Sequence, residues 1–249
     1  MRRIAVLLLG TIGLLTPVIG ASSAGAAKSS SITVLPVVSC PTSYGAGGRT
    51  GVFVAKSLPA DTTQRGLRFY SNGLNTVLAP AGWRCGSLVA ADGGQVLDVF
   101  PPGKPNDSTE LVPKGSEVVQ VAVDYTGHLP GGELICGLFP HSAAAAAVRS
   151  SGGPGCVGGT SRERLVDLTK DITTFVDPAG VTGMGAGSGG ALSSVGAGVY
   201  PQVVPTPQSI DVALLSCTLP KREARLCTAI EGDFLIRYAP VDEGTTTDG

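Results

Sequence analysis

The chain has 249 residues, a formal net charge of −1, and 15% charged side chains against 43% hydrophobic ones. That balance excludes a chain disordered throughout and offers no basic surface for nucleic acid. The 36 glycines and 18 prolines predict long connections, and the length suits one domain of ordinary size.

Met1-Arg2-Arg3, the apolar run from Ile4 to Gly20 and the small residues "ASSAGAA" read as a secretory signal peptide cut after Ala27. The run contains Gly10, Gly13 and Pro17 and is shorter than the roughly 20 residues of a membrane span. No later stretch is apolar for long enough to cross a bilayer. Residues 28–50 are expected to form an N-terminal leader, 51–240 a single domain and 241–249 a flexible tail.

Within the domain the hydrophobic pattern is mostly of period two. "RGLRFYSNGLNTVLAP" centres on Asn72-Gly73, the favoured pair of a two-residue type I′ hairpin. That turn would put Leu67, Phe69, Leu74, Thr76 and Leu78 on one face and Arg68, Tyr70 and Asn75 on the other. A second hairpin is expected around Asp92-Gly93-Gly94, with Leu88, Ala90, Leu97 and Val99 sharing a face. "EVVQVAVDY" alternates with Val119, Val121, Val123 and Tyr125 on one side.

Leu134 to Val148 reads as helix divided by Pro140, with an uncertain start. Arg164 to Val176 fits either period, and its threonines and Val176 favour a strand. Gly180 to Gly198 reads as a glycine-rich loop. Gln208 to Leu219 is a strand presenting Ile210, Val212 and Leu214. Lys221 to Tyr238 is a helix whose Leu226, Ile230 and Phe234 form a stripe toward the core. The fold class that follows is α+β, a mainly antiparallel sheet with one or two packed helices on one face, stapled by disulfides.

Motifs that carry chemistry are few. Gly185, Gly187 and Gly190 match G-x-G-x-x-G, but no strand–turn–helix context surrounds them, so a plain loop is expected and no cofactor. No serine stands in a nucleophile elbow. His128 lies in the turn "YTGHLPGG" and His141 follows Pro140, and both read as surface or capping residues. Neither histidine has a second at i+4, and there is no Cys-x-x-Cys, so no metal site is expected. Paired carboxylates drawn from Asp92, Asp98, Asp124, Asp177 and Asp211 would need to meet in space to act on a glycoside. Trp83, beside Cys85, is expected to pack against a disulfide.

Cys40, Cys85, Cys136, Cys156, Cys217 and Cys227 form an even set, which in an exported chain predicts a disulfide framework with fifteen connectivities. Sequential pairing is the simplest, and geometry supports only its last member, Cys217–Cys227. With a strand ending at Leu219 and a helix starting near Pro220, each cysteine lies about 10 Å from the turn.

"SNGLNTVLAPAGWRCGSLVAADGG", "FVDPAGVTGMGAGSGG" and "CTLPKREARLCTAIEGDFLIRY" resemble segments of secreted actinobacterial proteins built around a domain of unknown function. The likeness covers about residues 66 to 240, with "APAGWRC" and "CTLP…LCTA" its most specific blocks. It implies export, pairing of the two terminal cysteines and a strand over Leu165 to Val176, and it transfers no catalytic residue.

Together these features describe a secreted, extracellular or cell-wall-associated protein of non-catalytic binding function, taking a cell-envelope component. Two alternatives stand beside it. One is a secreted hydrolase with a site dispersed in sequence; the other is an inhibitor or partner-binding module displaying the Gly180–Gly198 loop. A pocket where a histidine meets a serine hydroxyl and a carboxylate would favour the hydrolase.

Overall fold

Period-two alternation carries much of the described part of the chain into two sheets. The computed structural model describes residues 33–44, 54–60, 65–90, 94–103, 112–113, 115–123, 136–150, 162–200 and 212–239. The expected signal segment with Ala27, the tail after residue 240, His128, Tyr125, Ile210, Asp92, Asp124, Asp211 and Cys156 lie outside them.

Four strands form the smaller sheet in the order β3-β1-β4-β5: β1 (Thr33–Ser39), β3 (Ser57–Ala60), β4 (Leu67–Ser71) and β5 (Thr76–Pro80). The larger sheet has the order β2-β6-β7-β8-β12-β11-β10-β9. Its first half is β2 (Thr42–Tyr44), β6 (Arg84–Val89), β7 (Gln95–Phe100) and β8 (Val118–Val123). Its second half is β9 (Arg164–Thr169), β10 (Ile172–Asp177), β11 (Ser194–Val199) and β12 (Ala213–Thr218). Pairing is antiparallel except for β1–β4 and β2–β6. Helices accompany the sheets, among them α1 (Ala143–Ser150) and α2 (Arg225–Tyr238). Strand dominates, so the fold is α+β only in the broad sense.

The span 28–50, expected as a leader, supplies two of these strands. Val37 and Val38 of β1 register with Phe69 and Tyr70 of β4, where β-branched residues suit a pleated, half-buried surface.

Two packed clusters flank the large sheet. On one face Leu97, Val99, Val119, Val121, Leu215 and Cys217 meet Phe69 and Leu78 of the small sheet and Ile230 and Phe234 of α2. On the other, Ala122, Phe175 and Leu214 meet Leu138, Phe139 and Ala145. The helices therefore cover opposite faces instead of sharing one.

Three local expectations need correction. The Asn72-Gly73 hairpin has a four-residue loop, with Ser71 opposite Thr76. Asn72 Oδ1 accepts from the amides of both Leu74 and Asn75, at 2.9 and 2.6 Å, and this side-chain turn replaces the two-residue one. Leu74 thus sits exposed in the loop. On the other face of β4 Arg68 is exposed but Tyr70 is not. Tyr70 is fully buried, its hydroxyl donating to the Pro80 carbonyl at 2.8 Å and accepting from the Trp83 amide at 3.1 Å. In the second hairpin Leu88 pairs with Val96, and Leu97 and Val99 share their face with Ser87 and Cys85. Its loop differs by one residue from the expected one, which moves Leu88 to the opposite face.

The third correction concerns the glycine block. Ser194 to Val199 is strand, with Val195, Ala197 and Val199 turned to the α2-side core. Gly196 leaves room on the other face for the Phe175 ring, which a side chain there would strike.

The ambiguous segment from Arg164 is the β9–β10 hairpin. β9 is an edge strand, exposed along its length and displaying Leu165, Val166 and Leu168.

Cys217 and Cys227 are bonded, with Cα atoms 5.7 Å apart. Regular helix starts at Arg225, later than expected. The residues from Pro220 to Cys227 climb through tight i→i+3 turns such as Glu223 N to Pro220 O at 2.8 Å. Cys40 is bonded to Cys85, and Trp83 packs against the core that contains both. Cys136 is also disulfide-bonded, to a residue outside the described ones. The last turn of α2 is held on the small sheet by Arg237. Its guanidinium lies 4.4 Å from the Phe69 ring centroid, donates to Pro59 O at 2.8 Å and pairs with buried Asp233 at 2.7 Å. Tyr238 OH adds a bond to Thr76 O at 3.1 Å.

Replacing Cys217 and Cys227 together by serine is expected to lower unfolding free energy by about 2–3 kcal/mol. The same change at Cys40 and Cys85, which close a longer loop, should cost about 4 kcal/mol in the same chain-entropy picture. Urea titration of the two variants beside the wild type measures both; equal or reversed losses would contradict the loop-length ordering.

Candidate functional site

A cleft of about 420 Å³ opens between the start of α1 and the turn of the β9–β10 hairpin. That volume falls within the range of small-ligand sites. Phe139 and Tyr200 form one wall, with ring centroids 5.9 Å apart and a 42° tilt. Both pack on the cluster around Phe175 and Leu138, so the sheet fixes their position. Tyr200 is further held by its amide, which donates to Asp171 O at 2.8 Å. The hairpin contributes Asp167, Thr169, Lys170 and Asp171, and the α1 entry contributes His141 and Ser142.

A histidine, a serine and two aspartates thus share one cleft, yet they are not linked as a relay. Ser142 is the N-cap of α1: its Oγ accepts from the Ala145 amide at 3.0 Å, satisfying one of the helix's free N–H groups. Asp167 Oδ1 accepts from Thr173 Oγ1 at 2.8 Å. Thr169 Oγ1 accepts from the Asp171 amide at 3.1 Å and closes the hairpin turn. His141 is exposed. The polar groups are built into the fold and line the cleft from there.

Of the carboxylates considered for glycoside chemistry, the two among the described residues, Asp98 and Asp177, do not meet. Asp98 lies on β7 and Asp177 on β10, separated by β8, β12 and β11. Four strand spacings amount to about 19 Å, beyond the roughly 5–9.5 Å over which such pairs act. Asp98 is buried, accepts from Gln120 Nε2 at 2.8 Å, and is pushed up to about 6 by that burial.

Asp177 instead faces a residue that the sequence pattern did not single out. Val176 pairs with Arg164, so the next step of the register sets Glu163 across from Asp177. Burial, and then the hydrogen bond to Asp177, push Glu163 up to about 7. Only the strand register reveals this neighbour, which is why residue type and spacing missed it.

The glycine segment packs onto that pair. The Gly185 amide donates to Asp177 Oδ2 at 2.7 Å and the Met184 amide to Glu163 Oε1 at 3.0 Å. Ala186 O accepts from Thr218 Oγ1 at 2.6 Å. Gly187 takes φ +75°, and its carbonyl accepts from the Gly115 amide at 2.7 Å. Gly185, Gly187, Ser188 and Gly189 are buried. From Gly185 to Gly189 the segment lies as a plug on the sheet, while Gly180, Thr182, Ala191 and Ser193 stay exposed.

Comparison of the chain with family models, with curated proteins and with solved structures finds no match. Among the described residues no group of three or more His, Cys, Asp or Glu is placed to hold a metal ion. Nor is any helix among them long and apolar enough to cross a membrane.

Replacing Ser142 with alanine is expected to cost about 1 kcal/mol of stability, as for other N-caps. Thermal unfolding of the variant beside the wild type measures the loss. Unchanged stability would show that the cap bond is not formed in solution.

Proposed function

We propose that this chain is an exported, non-catalytic recognition protein that seats a component of the cell envelope in the cleft between α1 and the β9–β10 turn. The observation that carries this reading is the employment of the cleft's polar groups. Ser142 caps a helix and Asp167 serves the hairpin, so they present fixed polar contacts and no nucleophile–base pair. An aromatic wall beside such contacts is the usual composition of a binding site. Export rests on the basic, apolar and small-residue pattern before Lys28, and the disulfides fit an oxidising compartment. The likeness to secreted actinobacterial proteins points the same way.

A secreted hydrolase is the second reading, favoured by the presence of His141, Ser142, Asp167 and Asp171 in one cleft. One experiment separates the two. The protein is titrated calorimetrically with solubilised cell-wall glycan fragments, and the fragments are then recovered and sized. The proposal expects saturable binding, intact fragments, and at least a tenfold loss of affinity, about 1.4 kcal/mol, in Tyr200→Ala. Shortened fragments whose production stops in Ser142→Ala would replace it with the hydrolase. No binding to any fraction, or Tyr200→Ala binding as well as wild type, would overturn the assignment of the cleft.

A further inference from the structure

Glu163 Oε2 and Asp177 Oδ1 are both buried and have no hydrogen-bond partner when each is counted as an acceptor. The other oxygen of each carboxyl is satisfied, Glu163 Oε1 by the Met184 amide and Asp177 Oδ2 by the Gly185 amide. Two orphaned acceptors facing each other across adjacent strands are repulsive if both carboxyls are charged. One proton between them turns the pair into a donor and an acceptor and satisfies both. Asp177 is fully buried and Gly183 packs directly on Oδ1, so that carboxyl has no room for a bulkier bridging group.

We propose that Glu163 and Asp177 form a proton-held latch that ties the glycine segment to the root of the β9–β10 hairpin below neutral pH and loosens it above. The neighbours leave a shared proton as the means of relieving the repulsion within the pair. The glycine segment from Pro178 to Ser193 contains no charged residue. β11 and β12 present the hydroxyls of Ser194, Ser216 and Thr218, which bond to one another and to Ala186 O. On the hairpin, Asp177 is the charged group acting on Glu163, and the flanking Arg162 and Arg164 are exposed.

Burial and the Asp177 bond together hold Glu163 near 7, above its ordinary 4.5. Between those values the folded chain binds more proton than the unfolded one, so stability falls as pH rises across that window. The contribution is complete below the unfolded value and lost above the folded one.

Hydrogen exchange of the Met184 and Gly185 amides reads the latch directly, because each donates to one carboxyl. After correction for the intrinsic rate, protection in the wild type should fall about tenfold or more between pH 5.5 and 8.5. Glu163→Gln keeps an acceptor for Met184 and gives Asp177 a permanent donor, so its protection should be the same at both pH values. Asp177→Asn supplies the donor from the other side and should behave alike, which keeps the test open should one variant fail to fold. Wild-type protection that does not change with pH would overturn the latch. So would an unchanged loss in whichever amide variant folds.

Discussion

Strand β12 is buried along its whole length, and the other elements are arranged by its two faces. Leu215 and Cys217 point to the core shared with α2 and the small sheet, while Leu214 points to the core beneath Phe139 and Phe175. Flanking strands β8 and β11 follow the same alternation, so one sheet forms the floor of two cores. Such a strand reads as a continuous apolar run, which is why "DVALLSCTLP" shows so little polar alternation. The Cys217–Cys227 bond then joins the centre of the sheet to the first turn of α2. Arg237 and Tyr238 fix the last turn of that helix to the small sheet.

One end of the large sheet is polar where the interior would ordinarily be apolar. Asp177, Ser194, Ser216 and Thr218 are all buried there. Burying such groups is unfavourable unless each finds a hydrogen-bond partner. The glycine segment meets that need with backbone, because residues without side chains can lie directly against carboxyl and hydroxyl groups. The glycines of this segment are therefore structural. The β9–β10 hairpin links this polar end to the cleft: its root holds the carboxyl pair and its turn supplies four of the cleft's residues.

Legibility in the sequence follows the range of the interactions. The α2 stripe of Ile230 and Phe234, the alternation of Val119 and Val121 and the clasp at Cys217 depend on local periodicity, and all three are present. Loop lengths are less legible, because Asn72 closes its turn with a side chain and the Gly94 hairpin differs by one residue. "SSVGAGV" looked like loop because its glycines hide a strand whose open face exists to admit Phe175. The cleft joins residues from three separate stretches of chain, and Glu163 meets Asp177 only through register. Nothing in the spacing of either group announces it.

If one sheet couples two cores, damage to either face must be felt by the whole molecule. Urea unfolding of Leu214→Ala and Leu215→Ala, followed by near- and far-ultraviolet circular dichroism, tests this most directly. Each substitution should lower stability by about 2–5 kcal/mol, as for buried leucines elsewhere, within a single coincident transition. Two separated transitions, or a cost well under 1 kcal/mol on either face, would mean that the cores are independent and that β12 does not organise the fold.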